Sequence, residues 1–272
     1  RAACEHFVDV RSVGNCAVAN RIREDGIDIL IDLKGHTRDS RMELMAYRPA
    51  PVQAAYLGYP ATTGAPFIDY MIGDRVTMPL EHAAHYTEQI AQLEGCYQPN
   101  DAARPLPPCP PRASLGLPHD AVVLCCFNQT YKLSPHMLDL WARILAGAPR
   151  AVLWLLTWNP HARENLLREL AARGVAAGRV FFGNKLDLPS HIARLRAADL
   201  FLDTWPCNAH TTASDALWAG LPLITCRGTA FPGRVAASLL GAIGLGELVR
   251  EDLAAYEELA VALAQDASRL GE

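Results

Sequence analysis

Residues 199–222 of this 272-residue chain read D-L-F-L-D-T-W-P-C-N-A-H-T-T-A-S-D-A-L-W-A-G-L-P, and this stretch decides the fold. It begins with a short apolar run between two aspartates, residues 199–203, which predicts a buried strand. The next five residues, 204–208, do not favour a helix, so we expect the backbone to turn there. Apolar residues then return at helical spacing up to Gly220. The stretch therefore predicts a strand, a loop and a helix in that order.

The start of this predicted helix carries two hydroxyl side chains, Thr211 and Thr212. A helix N-terminus has unpaired N–H groups and a partial positive charge, so it suits a phosphate group. Asp215 follows about one turn later on the same side, where its carboxylate could accept hydrogen bonds from ribose hydroxyls. The simpler alternative is that Thr211 only caps the helix and that Asp215 only favours its positive end.

The residues around this stretch continue the same alternation. Strands are predicted at 122–127, 152–157, 180–182, 199–203 and 223–226, and helices at 134–145, 162–172, 190–197, 211–219, 234–240 and 253–264. This order predicts a doubly wound α/β domain, in which ligands bind beyond the carboxyl ends of the strands. Three loops follow strand ends and should converge on one crevice, namely 128–132, 183–191 and 210–215.

The first part of the chain has a similar but weaker rhythm. Strands are predicted at 8–10, 27–33, 52–57 and 67–72, and helices at 18–24 and 42–47, which favours a mostly parallel sheet covered by helices. Seven prolines then lie between positions 98 and 118. Proline at this density builds neither helix interior nor central strand, so we predict an interdomain linker over 104–118. The domains would then be 1–103 and 119–272.

Composition excludes several classes of protein. Half of the residues are hydrophobic and a fifth are charged, as in ordinary soluble proteins, and a net charge of −4 gives no basic surface for nucleic acid. No apolar run reaches the roughly 20 residues of a membrane span, and the first residues do not resemble a signal peptide. We therefore expect a cytoplasmic protein, with its eight cysteines mostly reduced core thiols. His82 and His85 lie one helical turn apart but have no third ligand nearby, so we predict no metal site.

The run H-T-T-x-x-D-x-L-W-A-G-x-P at 210–222 resembles the nucleotide-sugar site of the O-linked N-acetylglucosamine transferase family, SPINDLY-type relatives included. The resemblance extends in the same order to L-G-Y-P at 57–60, C-C-F-N-Q-T-Y-K at 125–132, V-L-W-L-L at 152–156 and R-V-A-A-S at 234–238. It implies a GT-B type α/β fold, with two Rossmann-like domains facing a cleft. Because the chain starts inside the family domain, we expect the first domain to be incomplete at its N-terminus.

The resemblance also implies roles for individual residues. Lys132 would be the catalytic residue, stabilising the leaving diphosphate. The other contacts to the nucleotide sugar would come from Gln129, His191, His210, Thr211, Thr212 and Asp215. The loops that face the sugar and the acceptor would contribute Thr37, Arg38, Leu57, Gly58, Tyr59 and Pro60, with Gly58 and Gly64 letting backbone approach the ligand. Two departures from the family pattern stand out: Leu188 replaces a lysine of animal members, and His36 stands where relatives often carry tyrosine.

The implied reaction is an inverting transfer of N-acetylglucosamine from UDP-GlcNAc to Ser or Thr hydroxyls of proteins, with no cofactor and no metal. The expected partners are the UDP-sugar donor and a protein acceptor, and a tetratricopeptide (TPR) region is expected upstream in the full-length chain. The general base is also expected before Arg1, so the piece alone should not turn over. Two alternatives stay open: a protein O-fucosyltransferase that uses GDP-fucose, and a catalytically silent nucleotide-binding scaffold.

Overall fold

The computed structural model describes residues 4–266. The chain divides into two compact units, Arg1–Gln98 and Pro99–Glu272. The division falls at the start of the proline-rich stretch, before the predicted linker 104–118. That segment belongs to the second unit, where Arg112 donates hydrogen bonds to the Ala197 carbonyl oxygen (2.9 Å) and to the carboxylate of Asp199 (2.7 Å). The proline-rich segment is therefore held against the second sheet by side-chain contacts.

The first unit contains a four-stranded, all-parallel sheet with the strand order β1-β2-β3-β4. Its elements are α1 (Asn15–Glu24), β1 (Ile29–Asp32), α2 (Met42–Met45), β2 (Val52–Tyr56), β3 (Tyr70–Asp74), a 3-10 helix (Leu80–His85) and β4 (Gln89–Leu93). The strand predicted at 8–10 is wrong: those residues form no regular structure, and Val8 is 51% exposed, so no sheet neighbour covers it. The strand predicted at 67–72 begins later, at Tyr70.

The second unit contains a six-stranded parallel sheet with the order β10-β9-β8-β5-β6-β7. Its strands are β5 (Val122–Cys126), β6 (Ala151–Leu156), β7 (Val180–Gly183), β8 (Leu200–Leu202), β9 (Leu223–Cys226) and β10 (Val249–Arg250). Its α-helices are α3 (Pro135–Gly147), α4 (Pro160–Ala172), α5 (Leu188–Leu195), α6 (Thr211–Trp218), α7 (Val235–Ala242) and α8 (Leu253–Gln265). Short 3-10 helices lie at Arg112–Leu115, Thr130–Lys132, Ala177–Arg179, Phe231–Gly233 and Gly246–Leu248.

The core of the second unit explains why its strands are continuous apolar runs. Every residue of β5, β6, β8 and β9 is buried, because helices cover both faces of a parallel sheet. Local signals set the helix starts: the side chain of Ser134 caps α3, with proline at its first position, as predicted. Asp187 caps α5 by accepting from the Ser190 amide at 3.1 Å, which starts that helix earlier than the predicted 190.

The cysteines divide between core and surface. The prediction that most of the cysteines are core thiols is wrong. Three are buried (Cys125, Cys126 and Cys226), two are half-buried (Cys96 and Cys207) and three are exposed (Cys4, Cys16 and Cys109). Burial in the sheet raises the pKa of Cys126 to about 12 and that of Cys226 to about 11, so both remain protonated at neutral pH. Within residues 4–266, no helix has the length and apolarity needed to cross a bilayer.

Candidate functional site

The strand order of the second sheet has its switch point between β5 and β8. The chain runs from β5 outward through β6 to β7, then returns to β8 and runs outward on the other side. The order therefore reverses between β5 and β8, and ligands of such sheets bind at this switch point, beyond the carboxyl ends of the strands. Asn128 follows β5 at this point and Asp203 follows β8, and both are buried.

Asp203 organises the loop that follows β8. Its carboxylate accepts hydrogen bonds from the amides of Thr204 (2.7 Å) and Ala209 (2.6 Å) and from the hydroxyl of Thr225 (2.6 Å). Burial raises the pKa of Asp203 to about 6, although these hydrogen bonds and the charge of Lys132 oppose the shift. The sequence analysis placed Asp203 only at a strand end, and the one signal for its role is an aspartate that closes an apolar run.

Asn128 joins the loop after β5 to the loop after β8 and to α6. Its side-chain amide donates to the Thr204 hydroxyl at 2.8 Å, and its side-chain oxygen accepts from the Thr212 hydroxyl. Its backbone oxygen accepts from the indole N–H of Trp158 at 2.9 Å, which adds the loop after β6. The side chain of Asn128 therefore joins the loop after β8 to α6, and its backbone oxygen holds the loop after β6.

Lys132 extends its ammonium group into the same place. The residue is half-buried, and its Nζ donates to the backbone oxygen of Asn208. That carbonyl is held in position, since the Asn208 amide donates to the Pro232 oxygen at 2.8 Å and the Asn208 side chain donates to the Thr204 oxygen at 2.9 Å. The predicted catalytic lysine thus lies beside the turn that leads into α6. Gln129, three residues earlier, is exposed.

His210 immediately precedes α6 and adds an uncharged ring to the site. Its Nε2 lies 3.1 Å from the Pro232 carbonyl oxygen, which can only accept, so the ring proton is on Nε2. Burial, together with the charge of Lys132, lowers the pKa of His210 to about 4. No side chain caps α6, which contradicts the alternative that Thr211 is merely a cap. Thr211 is exposed at the first position of the helix.

The second predicted loop reaches the site through His191. Its ring packs against Phe127 with centroids 5.6 Å apart, and its Nδ1 accepts from the guanidinium of Arg194 at 2.9 Å. Because arginine can only donate, the proton of this neutral ring is also on Nε2. Burial and the nearby Arg194 charge lower the pKa of His191 to about 4. Sequence reasoning missed Arg194, a buried charge that also contacts the Asn184 oxygen and lies over Phe127 at 4.8 Å.

Asp215 lies one turn into α6, as predicted, but its carboxylate already has a charged partner. Arg104 of the proline-rich segment donates to Oδ1 at 2.6 Å. Burial raises the pKa of Asp215, and the adjacent guanidinium opposes this shift. From the sequence, Arg104 is predicted only to lie in a linker. The predicted ribose contact of Asp215 stays a prediction.

In the first unit, the structure brings the two predicted loops together. Nε2 of His36 donates to the Thr63 carbonyl oxygen at 2.7 Å, because a carbonyl oxygen can only accept. The His36 ring lies edge-on to the Tyr59 ring, with centroids 5.3 Å apart. Leu57 has a positive φ of 71°, a backbone conformation that is uncommon for residues other than glycine. Of the other predicted residues, Arg38 is exposed, and Thr37 and Pro60 are half-buried.

Gly58 is needed for chain packing, and its predicted approach to a ligand stays a prediction. A Cβ at this position would lie 2.0 Å from the backbone oxygen of Leu33. The missing side chain is therefore needed where this loop crosses the end of β1. Gly64 differs: nothing lies within 4 Å of its absent Cβ, and its φ of +66° is the feature that favours glycine.

Comparison with known protein families assigns the chain to one of them. The model of glycosyl transferase family 41 matches residues 1–108 and 108–272. The chain belongs to glycosyl transferase family 41. This agrees with the resemblance drawn from residues 210–222, and the α/β fold of GT-B type is confirmed.

Among relatives of this family 41 chain, a probable UDP-N-acetylglucosamine–peptide N-acetylglucosaminyltransferase of Arabidopsis thaliana, SEC, is 41% identical over 99% of the chain and 28% of its own length. The solved structure of a lysine-to-methionine mutant of the Thermobaculum terrenum O-GlcNAc transferase is 34% identical, with a TM-score of 0.90 over 100% of this chain and 52% of that one. Anabaena HepE in complex with UDP shares the fold at 12% identity, with a TM-score of 0.52 over 94% of this chain and 79% of that one. The family 41 chain thus spans about a third or less of the curated relatives' length and about half of the Thermobaculum protein.

Proposed function

We propose that the full-length protein transfers N-acetylglucosamine from UDP-GlcNAc to Ser or Thr hydroxyls of proteins, with inversion at the anomeric carbon. Family membership and the activities for which the SEC and Thermobaculum relatives are named support the reaction class. The observation that carries the proposal is the convergence of Lys132, Asn128 and Thr212 at the start of α6, at the switch point of a parallel sheet. This is where such a fold binds a nucleotide.

The diphosphate would bind at the N-terminus of α6. The first-turn amides there carry partial positive charge, no side chain caps them, and the hydroxyls of Thr211 and Thr212 lie beside them. Lys132 adds a full positive charge next to this turn. The nucleoside would extend toward His191, whose protonated Nε2 can donate to an acceptor atom of the base or ribose.

The residues around Lys132 would stabilise the leaving group. As the bond between the anomeric carbon and the diphosphate oxygen breaks, its electron pair goes to that oxygen and negative charge grows there. Positive groups already in place stabilise this charge in the transition state more than in the ground state. The acceptor hydroxyl attacks the opposite face of the sugar, which inverts the configuration, and its proton passes to a base that we do not assign to this chain. Lys132 and the helix amides supply the positive charge, so we propose that no metal ion is required.

The test is glycosyl transfer by the full-length protein. We expect transfer from UDP-GlcNAc to a Ser/Thr peptide, and no transfer to the same peptide with alanine at those positions. The rate of transfer should be the same with and without EDTA. NMR should show the product to be the β-anomer. Calorimetric titration with UDP and GDP checks the donor class separately. Tighter binding of GDP, with transfer from GDP-fucose, would replace the proposal by the fucosyltransferase alternative. Binding of UDP without any transfer would leave only a scaffold.

A further inference from the structure

Arg104 links the proline-rich segment to α6 through a buried ion pair. Its Nη1 lies 2.6 Å from Oδ1 of Asp215, and the two side chains are only 13% and 7% exposed. Its guanidinium also lies over the ring of Trp218, 5.1 Å from the centroid. Two contacts therefore fix one guanidinium against the first two turns of α6, and they join residues 111 positions apart.

We propose that Arg104 is a positioning residue for the nucleotide sugar, which holds the carboxylate of Asp215 so that its second oxygen accepts from the ribose hydroxyls of uridine diphosphate. The proposal rests on the proposed function, because it takes a uridine nucleotide as the ligand. It gives the proline-rich segment a part in binding, where the sequence predicted only a linker.

The geometry of the pair leaves an acceptor available. Among the described residues, Arg104 engages Oδ1 alone, and its own Nε has no hydrogen-bond partner. The pair is therefore not the two-pronged arrangement in which arginine occupies both oxygens of a carboxylate. An ionised carboxylate has about four lone-pair positions, so Oδ2 can accept from neighbouring hydroxyl groups.

The position of Asp215 on α6 suits the ribose of a nucleotide bound at the helix start. It lies four residues after Thr211, so the two side chains are on one face of the helix, separated by about one turn, or roughly 5.4 Å along the axis. A ribose adjoins its own 5′-diphosphate at a similar spacing. Burial raises the pKa of Asp215 and the guanidinium opposes this shift, and a carboxyl oxygen that Arg104 does not engage can accept from a ribose hydroxyl.

The competing explanation is that Arg104 only straps the proline-rich segment to the domain. Arg112 provides the matched control, because it ties the same segment to the domain through Asp199 at 2.7 Å and, among the described residues, donates no hydrogen bond to α6. If Arg104 only attaches the segment, its replacement should affect binding of the two nucleotides in the same way as replacement of Arg112. A positioning residue should differ from it in one respect, the dependence of binding on the ribose hydroxyls.

The experiment measures binding of UDP and of 2′,3′-dideoxy-UDP to the full-length protein by calorimetry. Arg104→Met, Arg104→Lys, Arg112→Met, Asp215→Asn and the Arg104→Met/Asp215→Asn double variant are compared with the wild type. We expect Arg104→Met to weaken UDP binding about tenfold, the value of one charge-assisted hydrogen bond, and dideoxy-UDP binding less than about twofold. Arg112→Met should change both ligands equally. The double variant should bind UDP no more weakly than Asp215→Asn does. The affinity of Arg104→Lys for UDP should lie between those of the wild type and Arg104→Met.

The outcomes separate the inference from its premise. Equal weakening of both ligands by Arg104→Met, as for Arg112→Met, overturns the positioning role and leaves a strap. If Asp215→Asn also fails to change the preference for UDP over dideoxy-UDP, the ribose contact itself is wrong. If the wild type does not bind UDP, the proposed function fails first. Should Arg104→Met not fold, the same ligand comparison on Arg104→Lys decides, with an unchanged preference counting against the inference.

Discussion

Replacing Lys132 by methionine is the sharpest test of the site. Methionine keeps an unbranched stem of similar length and removes the charge, so packing is largely retained. In the structure the Lys132 ammonium donates to the Asn208 oxygen beside the start of α6. In the proposed function it lies where the leaving diphosphate would become more negative, so its loss should raise the barrier more than it weakens binding of the donor.

The magnitudes follow from this position. Removing one preorganised donor from a site of developing charge costs on the order of 10²–10³ in kcat, or about 2.7–4 kcal/mol of the barrier. Lys132 is only half-buried, so solvent screens its attraction to the bound ground state, and we expect donor affinity to fall by no more than about tenfold. Loss of the hydrogen bond leaves the Asn208 oxygen without this donor, which should cost about 1–3 kcal/mol of folding free energy.

The assay is single-turnover transfer to a Ser/Thr peptide by the full-length protein, with UDP binding measured by calorimetry on the same preparations. Arg168→Met, which removes one exposed positive charge from α4, is the matched control and should transfer at the wild-type rate. Lys132→Arg should rescue only in part, because the planar guanidinium fork is larger than an ammonium group. If Lys132→Met transfers sugar at the rate of the wild type, the leaving-group role is refuted.

Three further outcomes are expected. Thr212→Val leaves the buried side-chain oxygen of Asn128 without its hydroxyl donor and should lower the free energy of unfolding, measured by chemical denaturation, by about 1–3 kcal/mol. Thr212→Ser keeps the hydroxyl and should retain most of this stability. Gly58→Ala places a methyl group 2.0 Å from a backbone oxygen and should lower the melting temperature of the first unit; an unchanged melting curve would contradict the packing role. The folded-state pKa values of His191 and His210 are about 4, below the ordinary 6.5, so the unfolded chain binds more protons and unfolding should become easier from about pH 6.5 down to about 4. The pKa of Asp203 is raised to about 6, so this group makes the folded state more stable as the pH falls from about 6 to 4, but two imidazoles outweigh one carboxyl. A free energy of unfolding that does not change with pH, or whose pH dependence is the same in His191→Gln, would count against these shifts.

Local patterns in the sequence were enough for most of the second unit. Fully apolar runs such as 122–127 and 152–157 are typical of strands buried on both faces, and the structure has β5 and β6 there. Ser134 followed by proline located the start of α3 because capping is a local interaction. Residues 8–10, Val-Asp-Val, show the limit of local patterns: a short segment with strand-favouring residues forms a strand only where a neighbouring strand pairs with it.

The part of the site that the sequence did not predict consists of contacts between distant segments. Arg104 meets Asp215 across 111 positions, and Asn128 meets Thr212 across 84. No periodicity encodes such pairs, because they arise only when the sheet brings its strand ends together. Sequence reasoning therefore predicted which loops converge and the residues they carry, but not which side chains hold those residues in place.

The buried carboxylate of Asp203 connects the fold to the chemistry. Its negative charge attracts the amides at both ends of the turn, those of Thr204 and Ala209, and so closes the loop after β8. Closing that loop leaves the Asn208 carbonyl to accept from Lys132, while the Lys132 charge in turn opposes the burial that raises the pKa of Asp203. In the proposed reaction these intramolecular contacts would hold the Lys132 charge in position while charge develops on the leaving group. An environment that needs no reorganisation as charge develops is the condition under which such groups lower a barrier most.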